Sequence, residues 1–312
     1  MILLIGSGIV GGRIARMAAS DTDQLTVVDS PSSISLASGP SDPRRVVILA
    51  TGGSHLSMAA EALTAGLSVV SVADSPAEVA ELSALDDLAR ASGATIVVGA
   101  AMSPGCSGLL ARHLATSLHR CDEIHIAAHA TGGPACARQH HRALAGTASS
   151  YFEGEWVEQA AGTGRELCWF PEPVGAHDCY RAEMADPVLL HSVFPEVRRI
   201  SARMSATRRD RLTSRLPMLR TPHNEGGIGA LRVEVRGVNA AGERVTSIAG
   251  IAEFVGAAAG ATALVFAQAI SRGEIPTGAV VAGSPDLPTV SLLNAITRYG
   301  IRLQEFSGVA HQ

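Results

Sequence analysis

The sequence predicts an α/β protein in which a Rossmann-type doubly wound parallel sheet is joined to a second domain of α+β type. Three observations carry that prediction. Short apolar runs alternate with helical patterns through the first third of the chain. A glycine turn, Gly6-Ser7-Gly8-Ile9-Val10-Gly11, stands directly between the first apolar run and the first helical pattern. Beyond residue 123 the alternation gives way to strand-like runs separated by turns.

Ile2 to Ile5 form the first strand, and Val10, Ile14, Met17 and Ala18 recur at helical spacing after the turn. Gly6 lets the chain turn out of the strand, Gly8 leaves the backbone open to a pyrophosphate, and Gly11 lets the helix approach the sheet. The unpaired N–H groups of a helix starting near Ile9 face that phosphate. A second strand, Leu25 to Val28, runs into Asp29, placed to accept from an adenosine ribose. Ser30 to Pro43 is rich in Ser, Pro and Gly and predicts a loop.

Val46 to Ala50 is the next strand, stopped by Thr51-Gly52-Gly53, with Ser54 as N-cap of a helix carrying Met58, Ala62 and Leu63. Leu67 to Val72 is a strand, Pro76 to Ala91 a helix, and Thr95 to Val98 a strand. Ligands of such sheets sit beyond the carboxyl ends of the strands. The residues expected at a dinucleotide are therefore Gly6, Ser7, Gly8, Ile9, Val10, Gly11, Asp29, Ser30, Thr51, Gly52, Gly53, Asp74, Ala100 and Ser103. No arginine lies close behind Asp29, which leans towards NAD; NADP stays open through Ser30, Ser32, Arg44 or Arg45. The glycine turn by itself also suits an S-adenosylmethionine-binding methyltransferase.

The later half predicts strands at 124–129, 155–157, 166–170, 198–204, 231–238 and 244–251, and a helix at 134–148. The division is a dinucleotide domain at 1–122, a substrate and dimerisation domain at 123–274, and a return of 275–312 to the first.

Composition narrows the chemistry. Of 312 residues 46% are hydrophobic and 17% charged, with net charge −4, which describes a globular protein without a nucleic-acid surface. All 25 basic residues are arginine, so Schiff-base, Walker-lysine and kinase chemistry is excluded. Five unpaired-looking cysteines and no basic n-region point to a reducing cytoplasm. The apolar run 254–267 is too short to span a membrane.

The stretch Gly52 to Ala115, with Gly52-Gly53, Ala73-Asp74 and Ser103-Pro104-Gly105, resembles the nucleotide domain of saccharopine dehydrogenase-like oxidoreductases. Trp169 to Gly175 and Asn224 to Gly237 resemble the same family's substrate domain, which places Gly226 and Gly227 among the substrate-binding candidates. The resemblance implies hydride transfer between NAD(P)H and the carbon of an imine or amine, an amino-acid-derived substrate, and a homodimer. Ser71 stands where many members carry an acidic residue. That departure raises an alternative, a nucleotide-sensing or partner-binding protein on the same fold.

Asp74, after a strand end, is the candidate to orient a substrate ammonium or a proton-relaying water, with an N-cap as its competing role. His140 or His141 is the candidate proton donor to nitrogen, since histidine titrates near neutrality. Arg138 and Arg208, the latter among eight arginines between 198 and 220, are candidates to clamp a carboxylate, and His177 is a further substrate candidate. His125 and His129 share a strand face, but no third ligand has suitable spacing, so no metal is expected. Cys106, near a helix start, is either an activated thiol or a small packing residue.

Overall fold

The structure is a computed structural model that describes residues 1–20, 25–28, 42, 44–218 and 226–307. In chain order the elements begin β1 (Ile2–Ile5), α1 (Ile9–Ala18), β2 (Leu25–Val28), β3 (Val46–Leu49), α2 (Leu56–Thr64), β4 (Ser68–Ser71), α3 (Pro76–Ser83), α4 (Asp86–Ala91) and β5 (Thr95–Val98). There follow α5 (Cys106–Ala115), β6 (Arg120–His129), α6 (Pro134–Ala143), β7 (Thr147–Phe152), β8 (Glu155–Ala160), β9 (Glu166–Trp169), β10 (Ala176–Arg181), α7 (Asp186–Val193), β11 (Arg199–Ser205) and α8 (Arg208–Thr213). The last are β12 (Ile228–Val238), β13 (Arg244–Phe254), α9 (Val255–Ser271), β14 (Gly278–Val281), α10 (Thr289–Arg298) and β15 (Leu303–Ser307).

The chain divides into two compact units: Met1–Cys106 with Gly256–Gly300, and Ser107–Val255 with the segment from Ile301. The first holds a six-stranded parallel sheet in the order β14-β5-β4-β3-β1-β2. Strands β3, β4 and β5 are buried at every position, as a sheet covered on both faces requires. Strand β2, at the edge, is only partly covered. From β1 the chain first adds β2 on one side and then β3 on the other, so the order reverses at β1. That reversal opens a crevice at the carboxyl ends of β1 and β3.

Two local readings change in this unit. The helix expected over 76–91 is two helices broken at Ala84-Leu85. The break brings the Asp86 carboxylate to the Ala279 N–H of β14 at 2.7 Å, where Arg90 also reaches it at 2.9 Å. Helix α9 belongs here as well, so the return starts near residue 256, ahead of the expected 275, and the first segment ends at Cys106 instead of 122. The reason is apolarity on all sides: Ala261, Ala263, Leu264, Val265, Phe266 and Ala267 are all fully buried. Gly260 sits against Arg13 and Ile14 of α1, where even a methyl group would be tight.

The second unit is a nine-stranded mixed sheet ordered β15-β13-β12-β6-β11-β10-β9, with β7 and β8 branching from β11. Strand β6 is central, antiparallel to β12 and parallel to β11. Its register puts Ile124, Ile126 and Ala128 on one face beside Ile200, Ala202 and Met204 of β11, all buried. The opposite face carries Glu123, His125 and His129, with Ser201, Arg203 and Ser205 of β11 and Arg232, Glu234 and Arg236 of β12 in register. The helix expected to continue to 148 stops at Ala143. Residues 147–160 form a hairpin instead, turning at Glu153 (φ 49°) and Gly154 (φ 94°), two left-handed residues that match the twist of the strands. Among the described residues no helix is long and apolar enough to cross a membrane.

Candidate functional site

The glycine turn divides its labour. Gly6 adopts φ +113°, and a Cβ there would lie 2.6 Å from the Ala50 carbonyl oxygen of the neighbouring strand end. A Cβ on Gly11 would fall 1.9 Å from the Gly6 carbonyl oxygen, so only glycine lets α1 approach the turn. Gly8, the N-cap of α1, has ordinary extended geometry, and a Cβ there would meet nothing within 4 Å. Packing therefore explains two glycines and leaves the third facing open space at a helix amino terminus. Ser7 and Gly8 are exposed, with Ile9 and Val10 half-buried behind them. Asp29 and Ser30 lie outside the described residues.

At the next strand ends, Thr51 to Gly53 leave β3 and Ser71 to Asp74 leave β4. Asp74 is half-buried and does not cap α3. Ser75 does, accepting from the Glu78 N–H at 3.3 Å. Nor does Ser54 cap α2: the N-cap is His55, which faces inward. His55 is 1% exposed. Its Nδ1 lies 2.8 Å from the Ser71 hydroxyl, its Nε2 lies 3.1 Å from the Thr51 carbonyl oxygen, and its backbone N–H donates to Glu78 at 2.7 Å. A carbonyl only accepts, so Nε2 carries the proton and Nδ1 accepts from Ser71. The Ser71 oxygen in turn accepts from the Ala73 N–H at 3.2 Å, and its carbonyl accepts from the Ala100 N–H at 2.7 Å. Burial depresses the imidazole pKa below its ordinary value, while Glu78 and the Thr51 carbonyl pull it back up. Ala100 is fully buried and Ser103 half-buried before the tight Gly105.

The candidates in the second unit fall into separate groups. Helix α6 carries Arg138, His140 and His141. Arg138 is exposed; His140 Nε2 lies 3.5 Å from the Cys136 sulfur, and His141 Nε2 lies 3.4 Å from the Thr213 hydroxyl on α8. Arg208 is exposed at the start of α8, whose Thr207 and Asp210 form a capping box. Among the described residues, arginines of the cluster take separate partners: Arg203 pairs with Glu166 at 2.8 Å, Arg198 with Glu153, and Arg211 lies over the Tyr180 ring. Gly226 packs against the Thr131 carbonyl and Gly227 faces open space.

His177 stacks on His129 with ring centroids 4.1 Å apart, and Phe170 lies 5.8 Å from His129. His125 Nδ1 lies 2.8 Å from the Ser201 hydroxyl and His129 Nδ1 lies 2.7 Å from the Ser205 hydroxyl, so each ring is tied to a different serine of β11. Burial, with His177 alongside, pushes the His129 imidazole down to about 4. Cys106 is fully buried and burial pushes its thiol up to about 12, which removes it as an activated nucleophile.

Compared with solved structures, the chain is similar to saccharopine dehydrogenase (L-Glu forming) from Saccharomyces cerevisiae over 98% of its length and 99% of the other, with TM-score 0.69 at 14% identity. It shares that enzyme's fold. A variant of Clostridium tetani meso-dapdh with DAP is similar over 93% of this chain and 95% of that one (TM-score 0.52, 13% identity). The C. glutamicum DAP dehydrogenase in complex with DAP matches over 90% and 92% (TM-score 0.50, 12% identity). No protein-family model and no curated protein matches the chain by sequence.

His55 is the residue that sequence patterning missed. A single histidine between small residues at a helix start breaks no periodicity, and its partners Ser71 and Glu78 are 16 and 23 positions away. The first unit presents an exposed helix terminus, an uncrowded Gly8, and the ends of β3 and β4 in the same parallel sheet.

Proposed function

We propose that this protein is an NAD(P)-dependent oxidoreductase that moves a hydride to or from the carbon of an imine or amine on an amino-acid-derived substrate. The observation that carries the reading is Gly8, open at the amino terminus of α1 where the order of the parallel sheet reverses, in a fold shared end to end with saccharopine dehydrogenase. When bound, the nicotinamide dinucleotide supplies the hydride donor or acceptor.

Gly6, Ser7, Gly8, Ile9, Val10 and Gly11 hold its pyrophosphate; Asp29 and Ser30 receive the ribose; Thr51, Gly52, Gly53, Asp74, Ala100 and Ser103 line the remainder. Asp74 orients a substrate ammonium or a water, and His140 or His141 gives the proton to nitrogen. Arg138 and Arg208 hold a carboxylate, with His177, Gly226 and Gly227 as further substrate contacts. A homodimer in the cytoplasm belongs to the same reading.

The test is titration with NADH, NADPH and S-adenosylmethionine, followed by melting temperature and intrinsic fluorescence, and then NADH consumption with mixtures of amines and keto acids. Stabilisation by a nicotinamide dinucleotide and turnover with one mixture are expected. Stabilisation by S-adenosylmethionine alone overturns the reading. The serine at position 71 favours one second reading, a nucleotide sensor on this fold; binding of NAD(H) without turnover of any C–N substrate selects it.

A further inference from the structure

The hydrogen bonds of His55 join two loops that the sheet itself leaves unconnected. Strands β3 and β4 are tied along their length by backbone pairing, which ends at Leu49↔Ser71. Beyond it Thr51–Gly53 and Ala73–Asp74 are loop, and an exposed glycine pair, Gly52-Gly53, gives the first of them freedom to move. His55 bridges that gap. One ring nitrogen holds the Thr51 carbonyl at 3.1 Å and the other holds the Ser71 hydroxyl at 2.8 Å. That hydroxyl then holds the Ala73 N–H at 3.2 Å, next to Asp74. Glu78 fixes the backbone of His55 from α3, so the ring does not swing with α2. Each polar atom of the imidazole is satisfied in one tautomer only, and the ring is buried to 1% exposure.

We propose that His55 is a positioning residue: as the neutral Nε2–H tautomer it clamps the Thr51–Gly53 loop to the Ser71–Asp74 turn in the form that receives the dinucleotide. This rests on the dinucleotide-binding reading given above for the place of the two loops. Serine at position 71 is then the matching half of the clamp, a short hydroxyl able to donate to Nδ1 while accepting from Ala73. An acidic side chain in its place would favour a charged imidazole.

The test compares the full-length protein with His55→Ala and His55→Gln, which retains a donor able to reach the Thr51 carbonyl. Three measurements decide. Long-range 15N NMR on the unsubstituted protein is expected to show a neutral ring protonated at Nε2; a ring protonated at Nδ1 overturns the proposal. Amide hydrogen exchange in His55→Ala is expected to speed up at residues 51–54 and 71–75 with the rest of the sheet unchanged; unaltered exchange there overturns it. NADH affinity is expected to fall about tenfold in His55→Ala and less in His55→Gln; a fall of less than twofold in a folded His55→Ala overturns it.

If His55→Ala does not fold, the same exchange and affinity measurements on His55→Gln decide. Should the unsubstituted protein bind neither NADH nor NADPH, the dinucleotide reading fails, and with it the assignment of the clamp to nucleotide binding. The tautomer and exchange results then still decide whether His55 joins the two loops, so the two failures are distinguishable.

Discussion

The Ser71 hydroxyl stands 2.8 Å from His55 Nδ1 and accepts from the Ala73 N–H, so one side chain at the end of β4 serves two buried polar groups. Ser71→Ala strands both. The expected cost is about 1–3 kcal/mol of stability, read as a lower denaturant midpoint at unchanged m-value. An unchanged midpoint would show that the imidazole finds another partner.

Two glycines of the same turn are expected to respond in opposite ways. Gly11→Ala places a methyl group 1.9 Å from the Gly6 carbonyl oxygen, backbone against backbone, so α1 must move. Destabilisation of about 1–3 kcal/mol or more follows, whatever the ligand. Gly8→Ala meets no atom within 4 Å and keeps an allowed backbone, so melting is expected to stay level or rise slightly. Its effect falls on binding, with NADH affinity lowered about tenfold or more. Unimpaired binding by Gly8→Ala would remove the pyrophosphate from this turn.

His129 gives a pH dependence with a definite sign. Its folded value of about 4 lies below the ordinary 6.5, through burial first and His177 second, with Ser205 and Phe170 the other groups against the ring. The unfolded chain therefore binds more protons between these values, so this contribution to stability is intact above pH 6.5 and is lost as pH falls towards 4. His177→Ala removes both the Coulombic influence of the stacked imidazole and part of the cover, and is expected to move the His129 titration upwards by NMR. A titration still near 4 would assign the shift to the rest of the pocket.

Glu234 is buried between Arg232 and Arg236 on the polar sheet face. Glu234→Ala leaves two guanidinium groups without their shared carboxylate, and a loss of about 3–5 kcal/mol is expected in thermal or denaturant unfolding. A loss below about 1 kcal/mol would mean that Glu123, 3.5 Å from Arg236, takes over the charge.

Cys106 is expected to resist alkylation by iodoacetamide at pH 8 in the folded protein and to react on unfolding, because a buried thiol raised to about 12 presents almost no thiolate. Labelling of Cys106 at the rate of a free thiol would place it at a surface.

Local order carries much of this fold. The strand, glycine turn and helix at the start, and the buried strands β3, β4 and β5, were legible because apolar runs, helical spacing and glycine geometry are properties of neighbouring residues. Of the β7–β8 hairpin only Glu155 to Val157, within β8, was. Its turn residues Glu153 and Gly154 lie within a stretch whose preceding helix pattern runs on past Ala143, and only pairing with β11 ends the competition. Strand β10 was missed for a similar reason: Ala176 to Arg181 alternates weakly and is a strand because β9 and β11 flank it.

By itself the sequence determined a parallel α/β unit with a glycine turn built for close backbone approach, a second unit of mixed strands, and chemistry without lysine. Tertiary structure alone decided that α9 closes the first unit, that His177 lies on His129, that Ser75 and not Asp74 caps α3, and that His55 answers Ser71. The physical reason is range. A period or a turn is set by steric and hydrogen-bonding preferences within a few residues, whereas each of the long-range contacts depends on strand order and register, which fix themselves only when the whole sheet buries its apolar faces together.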